Sequence, residues 1–138
     1  MKKTEKLGLN QWERTDPILM SAFNENFSKL EDTATGAAKI AAGVYTGNGK
    51  SGKSAPNTLT FEFEPKFLLI LNQYGQIYEA VAVLRTMDKA TVYTSFTSLS
   101  YGKVINFTWS NKTVSWYSSD ATYQLNTKDY KYHYLAIG

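Results

Sequence analysis

Hydrophobic positions fall into two regimes along the chain. Met20, Phe23, Phe27, Leu30, Ala34, Ala37 and Ala41 recur in alternating steps of three and four, which is helical periodicity. From about Gly43 onward apolar and polar residues alternate, with many aromatic residues and threonines, which is strand patterning. Thr15-Asp16-Pro17 supplies a start signal for the helix: the Asp16 carboxylate accepts from orphan N–H groups, and Pro17 suits the first helical position. The spacing predicts a heptad seam of about three repeats, large side chains first and small ones later. Gly36 weakens such a helix by about 1 kcal/mol, so the helix needs a partner. One arrangement packs it on its own β domain; the favoured one is self-association along the seam. Asn24 and Asn26 flank the seam, with amides suited to backbone groups of a neighbouring chain.

The second regime predicts seven or eight short strands and an antiparallel β-sandwich. Leu59, Phe61 and Phe63 point one way and Thr60, Glu62 and Glu64 the other, until Pro65 ends the run. Phe67–Leu71 is apolar on both faces and reads as a central strand. Ile77–Leu84 is also apolar on both sides, so a second surface is expected to cover it. Further strands are expected over Thr91–Phe96 and Tyr130–Ile137. Val104–Tyr117 reads as a hairpin turning at Asn111-Lys112, with Trp109 opposite Val114 and Phe107 opposite Trp116. In that register both tryptophans join the core rather than forming sugar platforms, while Asn106, Thr108 and Tyr117 lie on the polar face. The fold class expected is therefore mainly β, an N-terminal attachment segment over 1–40 that contains a short helix, followed by a β-sandwich head over 41–138.

Composition narrows the chemistry. The 138 residues include no cysteine and a single histidine, His133, which leaves neither disulfides nor the common zinc sites. The net charge of +3 arises from lysines spread singly beyond residue 40, not from a nucleic-acid stripe. No apolar run approaches the roughly 20 residues of a membrane span, and Met1-Lys2-Lys3 is not followed by the apolar core of a secretory signal. Gly47–Ser54 satisfies G-x-x-x-x-G-K-[ST], yet Pro56 and a strand pattern follow where a phosphate loop needs a helix, so a mobile hairpin tip is expected there. Glu62 and Glu64 share a strand face as a charged outer surface rather than a glycosidase pair. No catalytic constellation, metal site or cofactor site is expected, and the chain does not read as an enzyme.

The pattern L-G-L-x-x-x-x-x-T-D followed by F-N-E-N-F-S-K-L-E resembles the N-terminal segment of bacteriophage and prophage tail fibre, baseplate and receptor-binding proteins. Leu7-Gly8-Leu9, Thr15-Asp16 and Phe23–Phe27 match that form; Trp12-Glu13 stands where lysine and proline are usual, and Leu30-Glu31 replaces Ile-Asp. The later text from Gly43 to Ile70 and the ending Tyr132–Gly138 resemble small β-sandwich modules of such proteins. The resemblance implies a homotrimer in the tail of a virion, assembled in the host cytoplasm and docked to other tail or baseplate proteins. Attachment and trimerisation then fall to Leu7, Leu9, Trp12, Asp16, Met20, Phe23, Asn24, Asn26, Phe27 and Leu30. The β domain is expected to contact a host cell-surface glycan, with Tyr74, Tyr101, Tyr117, Tyr123, Asn106 and Thr108 as candidate contacts. An adaptor with no ligand of its own is the alternative. Neither nucleic acid nor membrane insertion is expected.

Overall fold

The computed structural model describes residues 1–94 and 102–138 of the chain. They form two compact units, Met1–Ala38 and Lys39–Gly138.

The first unit holds a pair of two-residue strands, β1 (Lys2–Lys3) and β2 (Asn10–Gln11), and one helix, α1 (Met20–Gly36). The helix opens later than Asp16-Pro17 suggests, with Leu19 at its N-cap and no side chain capping it. Asp16 is otherwise engaged: its carboxylate accepts from the Glu13 N–H at 2.9 Å and pairs with the Met1 ammonium at 2.8 Å. The Met1 ammonium, then the Glu13 N–H, hold its pKa below the ordinary carboxylate value. The seam is also shorter than expected, because the chain turns extended at Ala37 and Ala41 belongs to a strand.

The second unit is a sandwich of two four-stranded sheets in which every neighbouring pair is antiparallel. One sheet orders β3 (Ile40–Thr46), β10 (Lys131–Ile137), β5 (Phe67–Asn72) and β6 (Ala80–Leu84). The other orders β4 (Asn57–Thr60), β9 (Thr113–Tyr117), β8 (Lys103–Ser110) and β7 (Lys89–Val92). The core lies between them: Leu68, Ile70, Val83 and Tyr132 from the first meet Ile105, Phe107, Val114 and Trp116 from the second. Period-two alternation makes this possible, since each strand places every second side chain on the inner face. Tyr45 stacks on Tyr132 with ring centroids 5.2 Å apart, and Gly43 leaves room for the Tyr134 ring across the β3–β10 pair.

The β8–β9 hairpin has the expected register, Trp109 opposite Val114 and Phe107 opposite Trp116, and Asn111 takes a φ of 50° in the turn. Both tryptophans face inward. Trp116 is fully buried and Trp109 packs against the core, donating to the Met87 carbonyl at 2.9 Å. Strand bounds shift elsewhere. β4 stops at Thr60, although Phe61 and Phe63 stay buried; β6 begins only at Ala80, with Ile77 outside it and exposed; and the Thr91–Phe96 run reduces to Lys89–Val92, its last two residues lying outside the described residues.

The outer faces of the two sheets differ sharply. On the β4–β9–β8–β7 sheet they carry Thr58 beside Ser115 beside Thr108, and Thr60 beside Thr113 beside Ser110. On the β3–β10–β5–β6 sheet three cross-strand rows are almost wholly apolar. They read Ile40, Ile137, Phe67, Leu84; then Ala42, Leu135, Leu69, Ala82; then Val44, His133, Leu71, Ala80. His133 is the one polar side chain among the twelve.

Candidate functional site

The N-terminal motif forms a clip within its own unit. Gly8 adopts a φ of 62°, a left-handed conformation that favours glycine, and its carbonyl accepts from the Lys29 ammonium at 2.8 Å. Asn26 bonds the backbone of Asn10 at both ends, its Oδ1 accepting from the Asn10 N–H at 2.6 Å and its Nδ2 donating to the Asn10 carbonyl at 3.0 Å. Asn10 is itself buried and donates to the Ala22 carbonyl and the Glu25 carboxylate, at 2.8 and 2.9 Å. The Asn26 amide thus serves its own chain, contrary to the expectation that it reaches a neighbouring one, while Asn24 is exposed. Sequence reading missed β1, β2 and this clip. The signal was present in the offset of Glu25, Asn26 and Lys29, which an α-helix brings to one side.

Glu25 sits at the clip's centre, 2.8 Å from Lys29 and 3.1 Å from Lys3. The Lys29 ammonium, then the Asn10 amide and Lys3, pull its pKa from 4.5 to about 2. The group is depressed, so its contribution to the clip is complete above the ordinary value of 4.5 and fades as pH falls toward 2. A carbon-detected NMR titration of the Glu25 carboxyl should give a midpoint near 2. A midpoint at the ordinary value would show the clip open in solution.

With the polar motif residues turned on one another, the apolar ones are left outside. Met20, Phe23, Phe27 and Leu30 are 72, 44, 59 and 43 % exposed along α1, Ile18 and Leu19 are exposed just before it, and Leu7 is exposed in the β1–β2 connection. Trp12 tilts against Phe23 at 5.8 Å and Phe23 meets Phe27 edge-on at 5.2 Å, so the aromatic rings are held in one cluster. Leu9 is partly buried in the β1–β2 turn.

On the sandwich, the hydroxyl-rich outer face brings Asn106, Thr108 and Tyr117 together, with Asn106 directly opposite Tyr117. Asn106 and Tyr117 also line a shallow depression of about 590 Å³ whose rim includes Lys53, Lys103 and Ser119. Lys103 pairs with Asp120 at 2.7 Å. The other tyrosines are not gathered there. Tyr74 stands exposed in the turn after β5, edge-on to Tyr130 at 6.2 Å. Tyr123, expected as an exposed contact, instead packs against the core, with the Lys103 ammonium 4.8 Å from its ring and a 3.3 Å bond from Thr94. Tyr101 lies outside the described residues.

The glycine-rich loop is not the mobile hairpin tip expected: it crosses from β3 in one sheet to β4 in the other, and it is pinned by hydrogen bonds. The N–H groups of Gly47, Asn48, Gly49 and Gly52 donate respectively to the Tyr130 carbonyl, Asn126 Oδ1, the Asn126 carbonyl and, jointly, the Ser118 carbonyl and Gln124 Oε1. Asn126 also donates to Lys50 at 2.8 Å. These donors are the ones a phosphate loop would turn toward its anion, and here the protein already holds them; a strand at Asn57 follows instead of a helix. Glu64 pairs with Arg85 at 3.0 Å, and His133 faces outward on β10. Among the described residues, no three His, Asp or Glu side chains gather as metal ligands, and no helix is long and apolar enough to cross a membrane. No protein-family model, curated protein or solved structure matches the chain.

Proposed function

We propose that this chain is a structural component of a phage or phage-like tail, a fibre or receptor-binding protein that assembles as a homotrimer and is attached through its N-terminal unit. The observation that carries the reading is the exposed aromatic stripe on α1. Large apolar side chains in contiguous array are costly in water and mark a surface that meets protein. They project from a unit in which Lys29 donates to the Gly8 carbonyl and Asn26 bonds the Asn10 backbone, so the motif that resembles tail proteins builds a scaffold and presents the stripe. The β-sandwich is the outward head in this reading. Its hydroxyl-rich face, with the Asn106 amide and the Tyr117 ring at a depression, suits the alternating polar and apolar surfaces of a cell-wall glycan. The protein resides in the virion tail after assembly in the host cytoplasm.

Light scattering on the full chain should give three times its 15.5 kDa mass at micromolar concentration. Phe23→Asp with Phe27→Asp should weaken that association by at least tenfold, since each buried phenylalanine contributes roughly 1.5–3 kcal/mol. A monomeric wild type contradicts the reading. In the same preparation, host cell walls should pull down the wild type and fail to retain Asn106→Ala with Tyr117→Ala. Retention of no chain by any wall preparation leaves a tail adaptor with no ligand of its own.

A further inference from the structure

We infer that the apolar outer face of the β3–β10–β5–β6 sheet is covered by further copies of this chain, three such faces closing around one axis. The inference rests on the homotrimer reading and adds a contact to it: the sandwich itself, and not α1 alone, holds the copies together.

The face is a contact surface by its chemistry. A solvated sheet alternates apolar inside and polar outside, as the β4–β9–β8–β7 sheet does with its threonines and serines. The opposite sheet breaks that rule on all four strands at once, with Ile40, Val44 and Leu84 exposed by 66, 52 and 52 %. Four strands about 4.8 Å apart and three alternate rows make a patch of about 400 Å² in projection. A patch of that size ranks with the largest that monomers expose, about 300–600 Å², which are often functional, while a stable partner covers about 800 Å².

Two features point to identical copies as the occupant. The face carries no Asp, Glu, Lys or Arg among its twelve positions, His133 being its one polar side chain, so copies meet there without carboxylate or ammonium repulsion. Its width also fits three-fold closure. Three sheets about 19 Å wide, set as the sides of a triangle, each stand about 5.5 Å from the axis, near half the ~10 Å that separates packed sheets. The middle row, Ala42, Leu135, Leu69, Ala82, is small at its margins and large at its centre, which places bulk toward the axis. Ile40, Val44 and Leu84 in the flanking rows give the edges apolar side chains to meet with.

Because the chain lacks cysteine, a single introduced thiol reports burial directly. Ala82→Cys on the apolar face and Thr108→Cys on the polar face would be prepared in the full chain and reacted with a maleimide across a dilution series. Circular dichroism checks that both keep the wild-type fold, and sedimentation velocity checks their mass. The expected result is labelling at Ala82→Cys at least tenfold slower than at Thr108→Cys while the protein is trimeric, with the difference vanishing on dilution to monomer. Equal rates in a trimer overturn the inference and leave association through α1 intact. A slow rate that persists in the monomer also overturns it, because the chain then covers its own face. If Ala82→Cys does not fold, Leu84→Cys at the exposed sheet edge serves the same comparison.

Discussion

Trp116→Ala should lower the stability of the β-sandwich by about 4 kcal/mol, read from urea unfolding followed by circular dichroism. Trp116 is 1 % exposed and faces Phe107 on β8 with ring centroids 6.2 Å apart. Its other side meets Tyr45 at 5.9 Å, so it bridges the two sheets. Its indole N–H donates at 2.9 Å to the Gln124 carbonyl, a bond that holds the 118–130 connection against the core. Alanine removes the ring, leaves a cavity and frees that carbonyl in a buried place. Small domains are held by only about 5–15 kcal/mol, so the variant would sit near the edge of folding. A loss below about 1.5 kcal/mol would show that the ring is not part of the packed core.

Gln124→Ala should cost about 3 kcal/mol, chiefly by stranding buried polar groups. Gln124 is fully buried, and each end of its amide serves two partners. Its Oε1 accepts from the Gly52 and Ser118 N–H groups, both at 2.9 Å, while its Nε2 donates to the Ala55 carbonyl at 2.8 Å and Asn57 Oδ1 at 3.0 Å. Alanine leaves the Ser118 N–H and the Ala55 carbonyl without these bonds. Amide exchange at Gly52 and Ser118 should quicken together in that variant. Unchanged exchange at both positions would place the anchoring of the glycine-rich loop elsewhere, on Asn126. The two substitutions touch one network and should not be additive.

Much of the sandwich was legible because period-two alternation is a local property. The β8–β9 register follows from the coincidence of Ile105, Phe107, Trp109, Val114 and Trp116 on one face, which a slip of one residue destroys. Phe67–Leu71 and the run ending at Leu84 read as apolar on both faces, and they form the adjacent strands β5 and β6. The cover expected on the second face is not met: Leu84 is 52 % exposed. What was not legible depends on long-range partners. Asp16 looked like a cap because its neighbours permit it, but the chain's own ammonium and the Glu13 N–H compete for its carboxylate. Asn26 looked available because nothing nearby in sequence claims it; Asn10, sixteen residues away, does. Tyr123 looked exposed for the same reason, and the loop at Gly47–Ser54 looked free because Gln124 and Asn126, which hold it, come some seventy residues later.

The hydroxyl ladder on the β4–β9–β8–β7 sheet has an evolutionary corollary. Alternation uncouples Thr58, Thr108 and Ser115 from the packing beneath them, and exchanges at such surface positions usually change stability by no more than about 0.5 kcal/mol. Sequences that share this sandwich can therefore differ along this lawn of side chains one position at a time while keeping the same interior.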